Sequence, residues 1–358
     1  MEIHDIEKPL GPKDSRLIFN TDIPPSSRLS IMSDTEFEEM VLEWAYSYLQ
    51  GQYVTVKRLG GAGDKGRDII GYYENDEIDI YQCKHYKSQL APSEYWIEFG
   101  KLCYYTYKGE YNVPKNYYIV TSQGIGPALS SLVDNPAKIN KRLIQNWDNY
   151  CKNKITKEKP IGLDNSFKEY IENFNFKMVK ELAPIRLIDE YSKTKWFKYR
   201  FGGGMPKRPK FIRPADEIDS TEKDMPYIKQ LIEVYKEKTK DVVKDINTLD
   251  CNKYIKEHFN RQRIVFHSAQ ALKRFTRDEL IDEEPYEEIK EQLYQSVVDK
   301  SLELYESSFK RLTDTLDLAK IIPLEVRPLG LIQPMDKCGV CHELVNDRKL
   351  EWVEIDEN

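Results

Sequence analysis

Two stretches decide how this chain reads: Gly60-Gly61-Ala62-Gly63-Asp64-Lys65-Gly66-Arg67-Asp68-Ile69-Ile70-Gly71, and then Tyr81-Gln82-Cys83-Lys84-His85. Arg67–Tyr73 and Ile78–His85 alternate as strands around a turn at Glu74-Asn75-Asp76-Glu77. Gln82 and Lys84, two apart on a strand, leave the same face. Asp68 joins them only if pairing partners across the hairpin sum to an even number, 150 or 152. A sum of 151 puts Asp68 opposite Cys83 and on the wrong face. An aspartate, an amide oxygen and an ammonium in one place suit phosphodiester hydrolysis. Asp68 and Gln82 can hold a hard cation that neutralises phosphate, and Lys84 can stabilise the developing hydroxide. The glycines permit close backbone approach to a charged ligand.

Other readings of the same residues are weaker. Asp64 and Asp68 could be simple turn residues. A nucleotide fingerprint needs a helix after the glycines, but a strand follows, and no G-x-x-x-x-G-K-[ST] occurs. His85 falls on the strand face opposite Lys84, which assigns it a structural or exposed role.

Outward from this core, Ser33 or Asp34 can cap a helix in which Phe37, Met40, Val41 and Trp44 recur at helical spacing and which Gly51 ends. Residues 52–58 alternate as a strand. Residues 93–107 read as a helix with Trp96, Phe99, Leu102 and Cys103 on one face. Lys115–Thr121 reads as a strand, and Pro127–Ala137 and Ile139–Lys152 as helices. The order is that of a small α/β layer domain.

The run G-x-G-D-x-G-x-D-I-I-G followed by Y-Q-C-K-H-Y resembles the restriction-endonuclease-like PD-(D/E)XK superfamily, in its Mrr-like branch, where Gln replaces the middle acid. The likeness covers roughly residues 34–150. It implies a mixed sheet flanked by helices and Mg²⁺-dependent (or Mn²⁺-dependent) DNA cleavage. Asp68 matches the metal-binding aspartate and Gln82 the second motif residue, with the Cys83 carbonyl a further ligand. Lys84 matches the catalytic lysine. Glu38 best matches a helix glutamate, with Glu36 and Glu39 competing and an ordinary first-turn acid the alternative. Mrr-like nucleases joined to helical C-terminal domains resemble effectors of bacterial anti-phage or anti-plasmid systems such as Lamassu. That implies an SMC-like ATPase and an accessory subunit as partners, and an oligomer for double-strand cutting. The alternative is a nuclease-fold module that binds nucleic acid or a partner without cutting.

Composition sets outer limits. Apolar residues make up 40% of the 358 and charged residues 32%, a globular balance. Formal charge is −6, against whole-surface coating of nucleic acid but compatible with a locally positive cleft. No apolar run spans a membrane, and Met1–Asn20 lacks the apolar core of a secretory signal. Six irregular cysteines make no disulfide framework, so a reducing cytoplasm is expected.

Residues 192–213 carry Lys193, Lys195, Lys198, Arg200, Lys207, Arg208, Lys210 and Arg213 with no acid between them, interleaved with Trp196, Phe197, Tyr199, Phe201 and Phe211. That pattern suits either a DNA-backbone track or a solvated linker. Lys65, Arg67, Lys195, Lys198 and Arg200 are the candidate nucleic-acid contacts. Beyond it, Tyr227–Ile246, 251–281 and 285–320 are helical. Cys338-Gly339-Val340-Cys341-His342 offers Cys338, Cys341 and His342 to a structural zinc, completed by His258, His267, Cys251 or another chain. Free thiols are the alternative. The expected divisions are an arm (1–33), an Mrr-like domain (34–191), a basic linker (192–225) and a helical partner-binding domain with the CxxCH tail (226–358).

Overall fold

Local sequence decides where the first unit turns. His4–Asp5 (β1) precede helices Pro25–Ile31 (α1) and Asp34–Ser47 (α2). Ser33 caps α2: its hydroxyl accepts from Glu36 N, while the Glu36 carboxylate accepts from Ser33 N. Then come Thr55–Arg58 (β2), Ile69–Tyr72 (β3), Ile78–Lys84 (β4), Pro92–Tyr107 (α3) and Asn116–Thr121 (β5). Pro127–Asp134 (α4), Ala137–Tyr150 (α5), Asn165–Asn173 (α6), Val179–Leu182 (β6), Pro184–Ser192 (α7) and Phe197–Phe201 (α8) complete it. This computed structural model describes all residues except 1–3, 13–14, 20–22, 60–64, 157, 206, 210, 212, 216 and 354–358. Gly60, Gly61, Gly63 and Asp64 of the glycine loop, with Pro206 and Lys210, therefore lie outside the described residues.

The six strands form one mixed sheet in sequence order. β1 to β4 pair antiparallel, and β5 and β6 add parallel. Helices cover both faces. Ile70, Ile80 and Ile119 pack with Tyr95, Phe99 and Trp147 from α3 and α5. On the other face, Trp44 of α2 meets Tyr81 edge-on at 5.3 Å and donates to Glu190 of α7. β4 is consequently buried on both sides, as central strands of mixed sheets are. The α/β expectation is met. At the hairpin tip Asp76 takes a positive φ and the Asn75 side chain accepts from Glu77 N.

The chain divides at Gly204/Met205, which corrects two expected boundaries. Residues 1–33 are no separate arm, because β1 pairs with β2 and Arg28 bonds both Glu36 and the Arg200 carbonyl. Nor does the linker begin at 192, since α8 buries Tyr199, Arg200 and Phe201 in the first unit.

The second unit contains Ser220–Lys223 (α9), Pro226–Thr239 (α10), Lys253–Glu279 (α11), Glu284–Leu302 (α12), Ser308–Ile321 (α13), the hairpin Glu325–Val326 (β7) and Gly330–Leu331 (β8), and Pro334–Asn346 (α14). The helix expected over 285–320 is two helices, broken where Ser307 caps α13 through Lys310 N. The CxxCH stretch is not a tail. It lies in α14, with Cys338, Val340, Cys341 and Leu344 in the core. Gly339 explains the tight crossing, because a Cβ there would lie 2.0 Å from the Val265 carbonyl oxygen of α11.

A buried polar chain crosses this core. Trp352 Nε1 donates to His342 Nδ1 at 3.2 Å, so His342 carries its proton on Nε2 and donates to Gln262 Oε1 at 3.0 Å. Gln262 Nε2 in turn meets His258 Nε2, and His258 Nδ1 meets the Tyr235 hydroxyl. Burial pushes His258 down to about 4 and His342 to about 3.

Two outcomes follow from this core. Gly339→Ala must separate α11 from α14 and should cost about 3 kcal/mol in urea unfolding of the full chain. Both histidines are held neutral, whereas an unfolded histidine takes a proton near about pH 6.5. Their stability contribution is complete above that value. It is lost progressively as pH falls below that value, until about 4 for His258 and about 3 for His342, and the exchange protection of α11 and α14 amides should fall over that window.

Candidate active site

The β3–β4 ladder pairs Ile69 with Tyr81 and Ile70 with Ile80. Partners sum to 150, the even value that a shared Asp68–Gln82–Lys84 face requires. Asp68 Oδ2 accepts from Gln82 Nε2 at 2.8 Å and from the Cys83 backbone N–H at 2.6 Å. That contact fixes the amide orientation, since only nitrogen can donate to the carboxylate. Gln82 Oε1 is then left buried with no hydrogen-bond partner. An orphaned buried acceptor costs about 1–3 kcal/mol, so a donor or a cation reaching this oxygen would be stabilising.

Asp68, Lys84 and Glu38 meet in a cleft of about 440 Å³, lined also by Asp34, Phe37, Val41, Arg58, Cys83 and His85. The competition between three glutamates resolves by partner. Glu36 is spent on Arg28 and the cap, and Glu39 pairs with Arg200 at 3.0 Å. Glu38 is the one that faces the cleft. His85 also lines it, beside Asp34 at 3.5 Å and edge-on to Phe37, on the strand face opposite Lys84.

A residue that sequence reasoning missed completes the picture. Glu98 of α3 is buried, with its carboxylate 3.1 Å from Lys84 Nζ and 3.2 Å from Lys101 Nζ. Its signal was present: a carboxylate three residues after Tyr95, within the helical face that buries Phe99 and Leu102. Burial works against the Lys84 ammonium, but the Glu98 and Asp68 charges outweigh it and hold its pKa above the ordinary lysine value.

Oxygen donors that could hold a divalent cation stand at and beside the cleft. Among the described residues no three His, Cys, Asp or Glu side chains could hold a metal ion together. The candidate set instead combines Asp68 and Glu38 with the Gln82 amide and the Cys83 carbonyl. Cys338, Cys341 and His342 do not fit zinc. Both His342 nitrogens are bonded within the core, and the Cys338 thiol points to the Leu316 carbonyl. His258 is likewise committed, His267 pairs with Glu222, and Cys251 is exposed.

The candidate nucleic-acid cations divide. Arg200 is corrected to an interior role: it forks onto buried Glu43 at 2.6 and 2.7 Å, with Tyr191 donating to the same carboxylate. Lys198 is buried, and Lys195 lies 5.4 Å from the Trp196 ring. Lys65 pairs with Glu110, and buried Arg67 stacks on Tyr111 at 4.3 Å.

With fold and geometry in hand, the first unit is an α/β domain carrying an Asp…Gln-x-Lys cleft. Residues 224–352, inside the second unit, match the family model described as C-terminal domain 6 of the ABC-three component (ABC-3C) systems. No curated protein and no solved structure matches the chain. Among the described residues no helix is long and apolar enough to cross a membrane.

The Arg200 assignment is measurable. Arg200→Ala leaves the Glu43 charge buried without its guanidinium and should cost about 3–5 kcal/mol in urea unfolding. Lys195→Ala should stay within about 0.5 kcal/mol.

Proposed function

We propose that the first unit is a metal-dependent endodeoxyribonuclease and that the chain is the effector of a multi-component bacterial defence system. The observation that carries the reading is the orphaned Gln82 Oε1 beside Asp68, with Lys84 two residues on along the same strand face. Asp68, the Gln82 amide, the Cys83 carbonyl and Glu38 would hold Mg²⁺ or Mn²⁺. The bound cation supplies charge neutralisation at the phosphate and a lowered pKa for its water. Lys84 stays protonated at neutral pH, so it donates to the attacking oxygen rather than abstracting from it. Glu38, exposed on α2, lines the same cleft and would add a second carboxylate.

The match of the second unit supports the system-level part of the reading. ABC-three-component systems by name have several parts, so the partners we infer are the other components of such a system. This stands in place of the expected Lamassu-type context with its SMC-like ATPase and accessory subunit. DNA is the inferred substrate, and oligomerisation for double-strand cutting remains part of the proposal. A second reading, binding without cleavage, draws on Gln82 standing where an acid would bring a full charge.

The test uses the full chain co-purified with its operon-encoded partners. Plasmid cleavage should require Mg²⁺ and stop in EDTA. Lys84→Ala should slow it by about 100-fold or more while leaving folding and DNA binding intact. Wild-type rates in Lys84→Ala or in EDTA would sink the mechanism, and no cleavage under any metal with partners present selects the binding-only reading.

A further inference from the structure

We propose that Glu98 is the positioning residue for Lys84: its carboxylate, fixed on α3, anchors the ammonium beside Asp68. The inference rests on the nuclease reading and deepens it.

Three observations carry it. First, Glu98 is 3% exposed on a face otherwise given to Tyr95, Phe99 and Leu102. A carboxylate is costly there unless it is paired. One lysine would neutralise it, yet two reach it, Lys84 from the sheet and Lys101 from its own helix. Lys84 therefore serves more than charge balance. With Lys101 and Glu98 cancelling, Lys84 and Asp68 form the second opposite pair, and the cluster is neutral before any cation enters.

Second, the backbone at Gly66 lies against this pair. Gly66 has φ +78°, and a Cβ there would stand 3.1 Å from Lys101 Cβ and 3.5 Å from Glu98 Oε2. The backbone leading into Asp68 thus packs directly on the Glu98–Lys101 pair. Asp68 and Lys84 are referred to one common anchor, although they stand on different strands.

Third, a lysine head on a four-carbon stem samples many rotamers and loses that freedom when fixed. In this site Asp68 Oδ2 is already occupied by the Gln82 amide and the Cys83 N–H. The Glu98 carboxylate, 3.1 Å from Lys84 Nζ, holds that head in place.

The experiment compares wild type, Glu98→Gln and Glu98→Asp as full chains with partners, measuring kcat and KM for linear DNA. Mn²⁺ affinity by electron paramagnetic resonance and ¹⁵Nζ relaxation of Lys84 add readouts independent of turnover. Glu98→Gln should lower kcat by about 100-fold, with KM and Mn²⁺ affinity unchanged and the Lys84 Nζ signal newly mobile. Glu98→Asp keeps the charge and should recover most of the loss, which also covers failure of the Gln variant to fold. In a Lys84→Ala background Glu98→Gln should cost nothing further.

Wild-type kcat in Glu98→Gln overturns the role. So does the same loss with Lys84 already removed, and lost Mn²⁺ binding would make Glu98 a ligand instead. Absence of metal-dependent cleavage by the wild type overturns the nuclease reading itself, whereas wild-type cleavage with an unaffected Glu98→Gln overturns only this inference.

Discussion

The pairing of β3 with β4 fixes which residues can meet, because side chains alternate faces along a strand. With Ile69 opposite Tyr81, even-numbered residues of both strands turn toward α3 and odd-numbered ones toward α2. Lys84 is thereby set against Glu98, with Gln82 beside Asp68, while His85 meets Phe37 on the other face. A slip of one residue would exchange the two sets and bury Lys84 against Trp44 and Phe37. The hydrophobic pattern forbids that slip, since Ile70, Ile80 and Tyr81 are each committed to a packed layer. Chemistry and core packing thus depend on the same register.

The same demand for compensation explains the basic segment. Read along the chain, residues 192–213 resemble a phosphate-binding track. Folded, Arg200 answers Glu43, a fully buried carboxylate of α2, and Lys198 is buried as well. Charge composition reports how many cations a segment holds, not which of them must neutralise an acid distant in sequence. Glu43 gave no warning, because on a helix its spacing from Met40 and Trp44 is compatible with either face.

What sequence made legible follows from how local its cause is. The α2 cap, the hairpin turn and the strand spans of β3, β4 and β5 rest on near neighbours, and they lie within a few residues of expectation. β6 was invisible because four residues with two charges form a strand only once β5 offers its edge. Glu98 was passed over because its partner lies across the domain, on the sheet. Cys338-x-x-Cys341-His342 was misleading for a different reason. A metal motif and a helix face share the same spacing, and Gly339 decides between them. It is the residue that lets α14 lie against α11, with the thiols and imidazole turned inward.

The composition of the cleft also bears on how such a site would work. Mg²⁺ is commonly held by one or two protein carboxylates plus substrate phosphate, and it keeps several waters. Asp68 and Glu38 supply two carboxylates, Gln82 supplies an uncharged oxygen, and the Glu98 charge is balanced by Lys84 and Lys101. On the proposed reading, the protein alone therefore attracts a divalent ion weakly. The missing negative charge comes with the DNA phosphate itself, so that the complete site forms on the substrate. On that reading cutting would depend on bound DNA rather than on metal alone, and whatever delivers DNA to the cleft would be the point of control.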